Sequence, residues 1–190
     1  MRRVLILTQN EETVIGYRRL FMQFGLSDFK SCNNVAIARR FVSEQEFDLC
    51  IINAPLVDEF GDNFASEISF DSLCQVILVV KEDKLEETRS RVEDAGVLAI
   101  SKPFTKDVMW NVFKIALASY NKIVRLKNSN KELKLAIEDI KRTDRAKYCL
   151  IEFEKLTEEE AHKYIERTAM NRRINKRIVV DEILKKYIKQ

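Results

Sequence analysis

Over the first hundred residues, short apolar runs return at regular intervals: VLIL at 4–7, a weaker run at 29–32, LCII at 49–52, VILVV at 76–80 and LAI at 98–100. Between them, at 12–24, 35–43 and 85–95, apolar residues recur at helical spacing instead. Five runs of strand length separated by helix-length stretches predict a parallel sheet covered on both faces. The VILVV run is continuous and β-branched, which suits a central strand buried on both sides. The fold class is therefore α/β, (βα)5, with a doubly wound sheet. In such sheets the working crevice lies at the carboxyl ends of the strands. Those ends are Thr8/Gln9, Asn53/Ala54, Val80/Lys81 and Ser101/Lys102.

The pattern then changes. From 105 to 153 there is no Gly or Pro, and the composition predicts one long helix. A heptad can be laid on it, with Ala116, Ile123, Asn130 and Ile137 at a and Ser119, Leu126, Leu133 and Ile140 at d. The seam Ile123, Leu126, Asn130, Leu133, Ile137 and Ile140 predicts a parallel two-stranded coiled coil, and so a homodimer, with Asn130 setting the register. Lys122 would face Lys127 across that seam, which opposes pairing. A single amphipathic connector lying on its own domain has the same pattern.

Further on, three short apolar faces follow one another. They are Ala146, Cys149, Leu150 and Phe153; then Ala161, Tyr164, Ile165, Thr168 and Ala169; then Ile178, Val179, Ile183 and Tyr187. Three amphipathic helices of this kind close one small all-α core. The start of the middle one is marked by Leu-Thr-Glu-Glu-Glu-Ala at 156–161. Thr157 and Glu160 form a capping box, Leu156 and Ala161 stand where a hydrophobic staple closes, and three acids suit the helix dipole. The predicted division is 1–118, 119–143 and 144–190.

At 190 residues, 46% of them hydrophobic, the chain has room for one or two folded domains and is not a disordered polymer. No run reaches the roughly 18 apolar residues of a membrane span. The run at 4–7 is too short for a signal peptide. Cys32, Cys50, Cys74 and Cys149 form no CxxC pair and read as reduced core thiols of a cytoplasmic protein. His162 is the single histidine, so catalysis or metal binding through imidazole has little to work with. No enzyme activity, cofactor or metal is expected.

The net charge of +3 hides an asymmetry. Residues 1–118 hold 14 Lys/Arg against 18 Asp/Glu, and residues 119–190 hold 19 against 12. An acidic front and a basic rear point to the rear as the part that meets a nucleic acid. A solvated Lys-rich helical face has the same composition.

The phrases DLCIINAPL, VILVVKED and ISKPF, in that order and spacing, resemble a response-regulator receiver domain over residues 1–118. The resemblance implies a flavodoxin-like fold. It also implies a pocket with an acidic pair for magnesium after strand 1, a phosphoryl-accepting Asp at the end of strand 3, a hydroxyl after strand 4 and a Lys after strand 5. Here those positions hold Thr8 and Gln9, Asn53, Val80 and Lys102. An amide forms no acyl phosphate, and Thr8 and Gln9 offer a hard divalent ion no charge. Only Lys102 remains, so a pseudo-receiver is expected, kept for protein contacts. Glu11, Glu12 and Asp58 are candidate stand-ins; a helix-start charge pair and a loop charge are the plainer reading. Lys102–Pro103 is a step the family often holds cis.

The run AKYCLIEFEKLTEEEAHKYIERTAM resembles the ANTAR domain, an RNA-binding antiterminator module, over residues 144–188. Its most specific parts are Ala146-Lys147, the Leu-Thr-Glu-Glu-Glu-Ala turn and Ala169-Met170 followed by basic residues. Lys176 stands where the family prefers an apolar residue. The resemblance implies binding to paired hairpins in a nascent leader RNA, so that a terminator does not form. Lys147, Arg172, Arg173, Lys176 and Arg177 are the candidates to neutralise phosphates. Tyr148 is the candidate to stack on a loop base, or else packs at a helix junction.

The expectation is thus an antitermination regulator with a pseudo-receiver, a helical dimer linker and a rear RNA-binding module, with a regulatory sensor protein as a possible further partner. A protein-interaction scaffold that binds no nucleic acid and a DNA-binding response regulator are the rival readings.

Overall fold

The computed structural model describes residues 3–187; Ile188, the last residue of the ANTAR-like stretch, and 189–190 lie outside it. Two compact units divide between Arg125 and Leu126.

The first unit is built on five parallel strands, β1 (Arg3–Leu7), β2 (Asp28–Cys32), β3 (Leu49–Asn53), β4 (Gln75–Lys81) and β5 (Leu98–Lys102), in the order β2-β1-β3-β4-β5. This is the doubly wound order whose topological switch lies between β1 and β3. Strand residues alternate between two cores. Leu5, Leu7, Cys50, Ile52, Leu78 and Val80 pack on one side with Val35 and Ala38 of α2 (Val35–Glu44), Phe64, Ala65 and Ile68 of α3 (Asp62–Asp71) and Val92 of α4 (Leu85–Val92). Val4, Ile6, Ile51, Ile77 and Val79 pack on the other with Tyr17 and Phe21 of α1 (Glu11–Gln23) and Met109, Phe113 and Ala116 of α5 (Lys106–Glu154). A strand buried on both faces needs apolar residues at every position, which is why β1, β3 and β4 read as unbroken apolar runs.

The helices begin where side chains satisfy their free N–H groups. Asn10 Oδ1 accepts from Glu12 N at 2.8 Å, and Asn34 Oδ1 accepts from Ile37 N at 2.8 Å. Helix α3 has no such signal. It follows Gly61, whose φ of 100° requires glycine, and its sequence DNFASEISFD has no clean apolar stripe, so the pattern at 62–71 did not announce it.

Helix α5 runs 49 residues, in line with the Gly- and Pro-free stretch. Its part up to Arg125 belongs to the first unit, and this changes the heptad. Ala116, expected at an a position, is buried against the sheet instead. From Ile123 onward the seam is open: Ile123, Leu126, Leu133, Ile137 and Ile140 are all exposed, and Leu133 keeps 59% of its surface in contact with solvent.

The second unit closes one core from the end of α5, α6 (Glu158–Arg172) and α7 (Lys176–Tyr187). Ala146 and Leu150, Ala161, Ile165 and Ala169, and Val179, Val180 and Ile183 are its buried residues. The capping box forms: Thr157 N donates to Glu160 Oε2 at 2.8 Å, and Glu160 N donates to Thr157 Oγ1 at 3.3 Å. Leu156 packs on the same core as Ala161. Three expected face residues differ. Tyr164, Phe153 and Ile178 are exposed. Phe153 stacks on Tyr187 with centroids 5.0 Å apart, at the edge of the core. Helix α7 places Val180 inward where Ile178 was expected, because Val179, Val180 and Ile183 share one face and Ile178 does not.

Candidate functional site

The carboxyl ends of β1, β3 and β5 meet where a receiver would hold its phosphoryl chemistry. Thr8 is 3% exposed, and its N–H donates to Cys32 O at 3.1 Å. Asn53 donates from Nδ2 to Thr8 Oγ1 at 3.0 Å and accepts at Oδ1 from Lys102 Nζ at 3.0 Å. Lys102 Nζ also donates to Ala54 O at 2.7 Å. The result is a chain of neutral groups ending in one ammonium. Lys102 has no carboxylate partner among the described residues, and its pKa is lowered, by burial first and by the nearby Lys81 second.

The other two pocket positions turn elsewhere. Gln9 donates to Pro55 O at 3.0 Å. Val80 is fully buried in the core shared with α2, α3 and α4. The peptide bonds Ala54–Pro55 and Lys102–Pro103 are both cis.

The candidate acidic stand-ins have structural duties or sit apart from a cluster. Asp58 accepts from Val35 N through both oxygens at 2.9 Å, and from Ala36 N at 3.1 Å. It caps α2, and those backbone bonds, led by Val35, lower its pKa. Glu11 and Glu12 lie in the first turn of α1. Among the described residues no group of three His, Cys, Asp or Glu side chains is placed to hold a metal ion.

The basic residues of the rear unit fall into two groups. Of the five expected phosphate contacts, four are paired within the unit. Lys147 sits between Asp144 at 2.9 Å and Glu158 at 3.1 Å, with its side chain only 17% exposed. Arg172 holds Glu182 of α7 in a two-pronged pair, and this raises the Arg172 pKa while lowering that of Glu182. Lys176 lies 3.7 Å from Glu166, and Arg177 lies 3.4 Å from Asp139. Arg173 is different. It is exposed, has no partner among the described residues, and stands in left-handed conformation at φ 52° just past α6. Its N–H and that of Ile174 close the helix onto Met170 O and Ala169 O at 3.1 and 3.0 Å.

Tyr148 is 70% exposed, so the packing alternative for it is not what forms. Arg145, one turn earlier on the same helix, is also exposed without a partner among the described residues, and Lys141 lies one further turn back. Lys141, Arg145 and Tyr148 therefore share a free face. The sequence reading missed the two cations; their i, i+4, i+7 spacing was the signal that could have found them. The cluster at 172–177 begins at Arg172, the last residue of α6.

Residues 131–184 match the ANTAR domain. The transcriptional regulatory protein PdtaR of Mycobacterium tuberculosis is 28% identical over 138 residues, which cover 72% of this chain and 67% of that protein. Among solved structures, the signal receiver domain of an HD domain-containing protein from Pseudomonas fluorescens Pf-5 is similar with a TM-score of 0.58 at 16% identity, over 65% of this chain and 92% of that one. The beryllofluoride-activated NtrC4 receiver domain dimer is similar with a TM-score of 0.56 at 20% identity, over 63% of this chain and 99% of that one. At such identities the structures speak to the fold alone, and they agree with the strand order of the first unit. The chain thus joins a domain of the receiver fold to a segment, residues 131–184, that matches the ANTAR domain.

Proposed function

We propose that this chain is an RNA-binding transcription antitermination regulator, whose rear domain grips hairpins in nascent leader RNA and whose front domain takes in a signal without being phosphorylated at the usual position. The observation that carries this reading is the ANTAR match at 131–184, falling on a unit that closes its own core and presents unpaired cations beside an exposed aromatic ring. The curated relative's name, a transcriptional regulatory protein, supports the same level of function.

In this reading the domains are a pseudo-receiver at 1–118, a coiled-coil linker at 119–143 and the RNA-binding domain at 144–190; the ANTAR match begins earlier, at 131. Arg173 and Tyr148 meet RNA directly, with Arg145 and Lys141 beside Tyr148. Arg172, Lys176 and Arg177 exchange their carboxylate partners for phosphates, an exchange that is cheap because exposed ion pairs are weak in water. Lys147, held by Asp144 and Glu158, ties α5 to the start of α6 and contributes least. The exposed stripe from Ile123 to Ile140 packs against that of a second copy, which gives one dimer two RNA-binding units for paired hairpins. A regulatory sensor protein or a small molecule reaches the front domain.

The direct test is a mobility shift with hairpin RNA and with duplex DNA of the same sequence across a salt series. Salt-sensitive binding to RNA but not DNA is expected. Binding to neither would favour a protein scaffold, and binding to DNA alone a DNA-binding regulator.

A further inference from the structure

Beside the altered receiver pocket lies a cleft of about 360 Å³, lined by Thr13, Gly16, Tyr17 and Leu20 of α1, Asn53 and Lys102 at the strand ends, and Phe104 in the loop before α5. Its size is at the lower end of small-molecule sites, about 300–1,000 Å³. It opens at the carboxyl edge of the sheet, where doubly wound folds bind ligands.

Three features of its lining suit an occupant. Lys102 uses two of its three N–H groups on neutral acceptors, Asn53 Oδ1 and Ala54 O, and has no carboxylate partner among the described residues. Tyr17 is only 5% exposed, lines the cleft, and its hydroxyl has no hydrogen-bond partner among the described residues. That oxygen is not among the sealed polar atoms of the core, so it faces the open cleft, where an occupant or solvent can bond it. The third feature is Gly16. It lies inside α1, where glycine costs about 1 kcal/mol against alanine. A Cβ built there would meet nothing within 4 Å, so packing does not demand the glycine. Its bareness keeps the mouth of the cleft open.

The walls say what kind of molecule fits. One end carries a cation, an amide and the hydroxyl of Thr13. The sides are apolar, and the rings of Tyr17 and Phe104 lie nearly parallel, 15° apart, with centroids at 6.3 Å. We infer that this cleft binds a small aromatic carboxylate, its carboxylate on Lys102 and the Tyr17 hydroxyl and its ring against Phe104 and Leu20. Occupation would turn the relic of a phosphorylation pocket into a ligand-sensing one: the anion would sit next to the same lysine that reads a phosphoryl group in a receiver. The inference does not depend on RNA binding, because its readout is ligand binding by the full chain.

The test is isothermal titration calorimetry of the full chain with benzoate and with phenylacetate, alongside benzyl alcohol and inorganic phosphate. At least one carboxylate should bind with a Kd of about 1 mM or tighter, and benzyl alcohol and phosphate about tenfold more weakly or worse. Lys102→Met should abolish binding. Because that change also removes the bonds to Asn53 and Ala54, Gly16→Leu is the second variant: it fills the cleft from the solvent side, leaves the bonds of Lys102 in place, and should abolish binding while the melting curve stays cooperative. If neither carboxylate binds, if the alcohol or phosphate binds as tightly, or if binding survives Gly16→Leu, the inference is overturned.

Discussion

At the residue scale, Asn53 sets the bonding at the carboxyl ends of β1, β3 and β5. Its amide donates to Thr8 Oγ1 and accepts from Lys102 Nζ, and an amide in that place is no nucleophile for a phosphoryl group. Incubation with acetyl phosphate and magnesium should therefore leave the intact mass unchanged. Asn53→Asp should give no adduct either, because Thr8 and Gln9 still supply no charge for the metal; a phosphoryl group mapped to β3 or its loop in the parent chain would contradict the account. A second residue-scale prediction concerns Thr157. Replacing it by Ala removes the cap of α6 and should cost about 1 kcal/mol in chemical denaturation of the rear unit; no change would mean the box contributes nothing to stability.

The identity of the pocket residues was legible in the sequence, but their bonding was not. Arg172 looked free because its partner Glu182 lies on the next helix, where local sequence carries no sign of the pairing. One partner of Lys147, Asp144, stood three residues back on the same helix and was legible. Arg173 looked like its neighbour Arg172, and only the left-handed turn after α6 separates them.

At the scale of elements, the strands were legible because burial on both faces forces continuous apolar runs, and α5 because nothing in 105–153 breaks a helix. Helix α3 was not, for want of a stripe, and the phase of α7 was misread at Ile178 because two adjacent valines follow it. The rear helices have a pH dependence that follows from their caps. Glu154 is held by Tyr187 and Lys186, Glu160 by the N–H and hydroxyl of Thr157, and Glu182 by Arg172; each has its pKa lowered. A lowered folded-state pKa contributes stability above the unfolded value, near 4.5, and that stability is lost as pH falls through the folded value. Helicity of the rear unit should therefore hold from pH 7 to about 5 and decline below 4.5. A flat circular-dichroism signal down to pH 3 would show these contacts to be idle. The seam has its own test: Leu126→Asp with Leu133→Asp should convert a dimer into a monomer in sedimentation equilibrium. An unchanged mass would place self-association elsewhere.

At the scale of the whole molecule, one chain joins a receiver fold without the usual acidic pocket to a segment that matches the ANTAR domain, and a single helix, α5, passes from the first unit into the second. The acidic front and basic rear seen in the composition fall on either side of that division. The central claim is that the rear meets RNA, and Arg173 tests it most cleanly. Unlike Arg172 it supports no neighbouring helix, and glycine suits its left-handed backbone at least as well. Affinity of the full chain for hairpin RNA should be measured against salt for the parent, for Arg173→Gly, and for Arg145→Ala with Tyr148→Ala. Each lost phosphate contact should flatten the log–log slope by about 0.7 on single-stranded segments. The account predicts weaker binding and a shallower slope for Arg173→Gly, and weaker binding for the double variant, all with unchanged melting temperatures. Parent-like affinity and slope in both variants would contradict it.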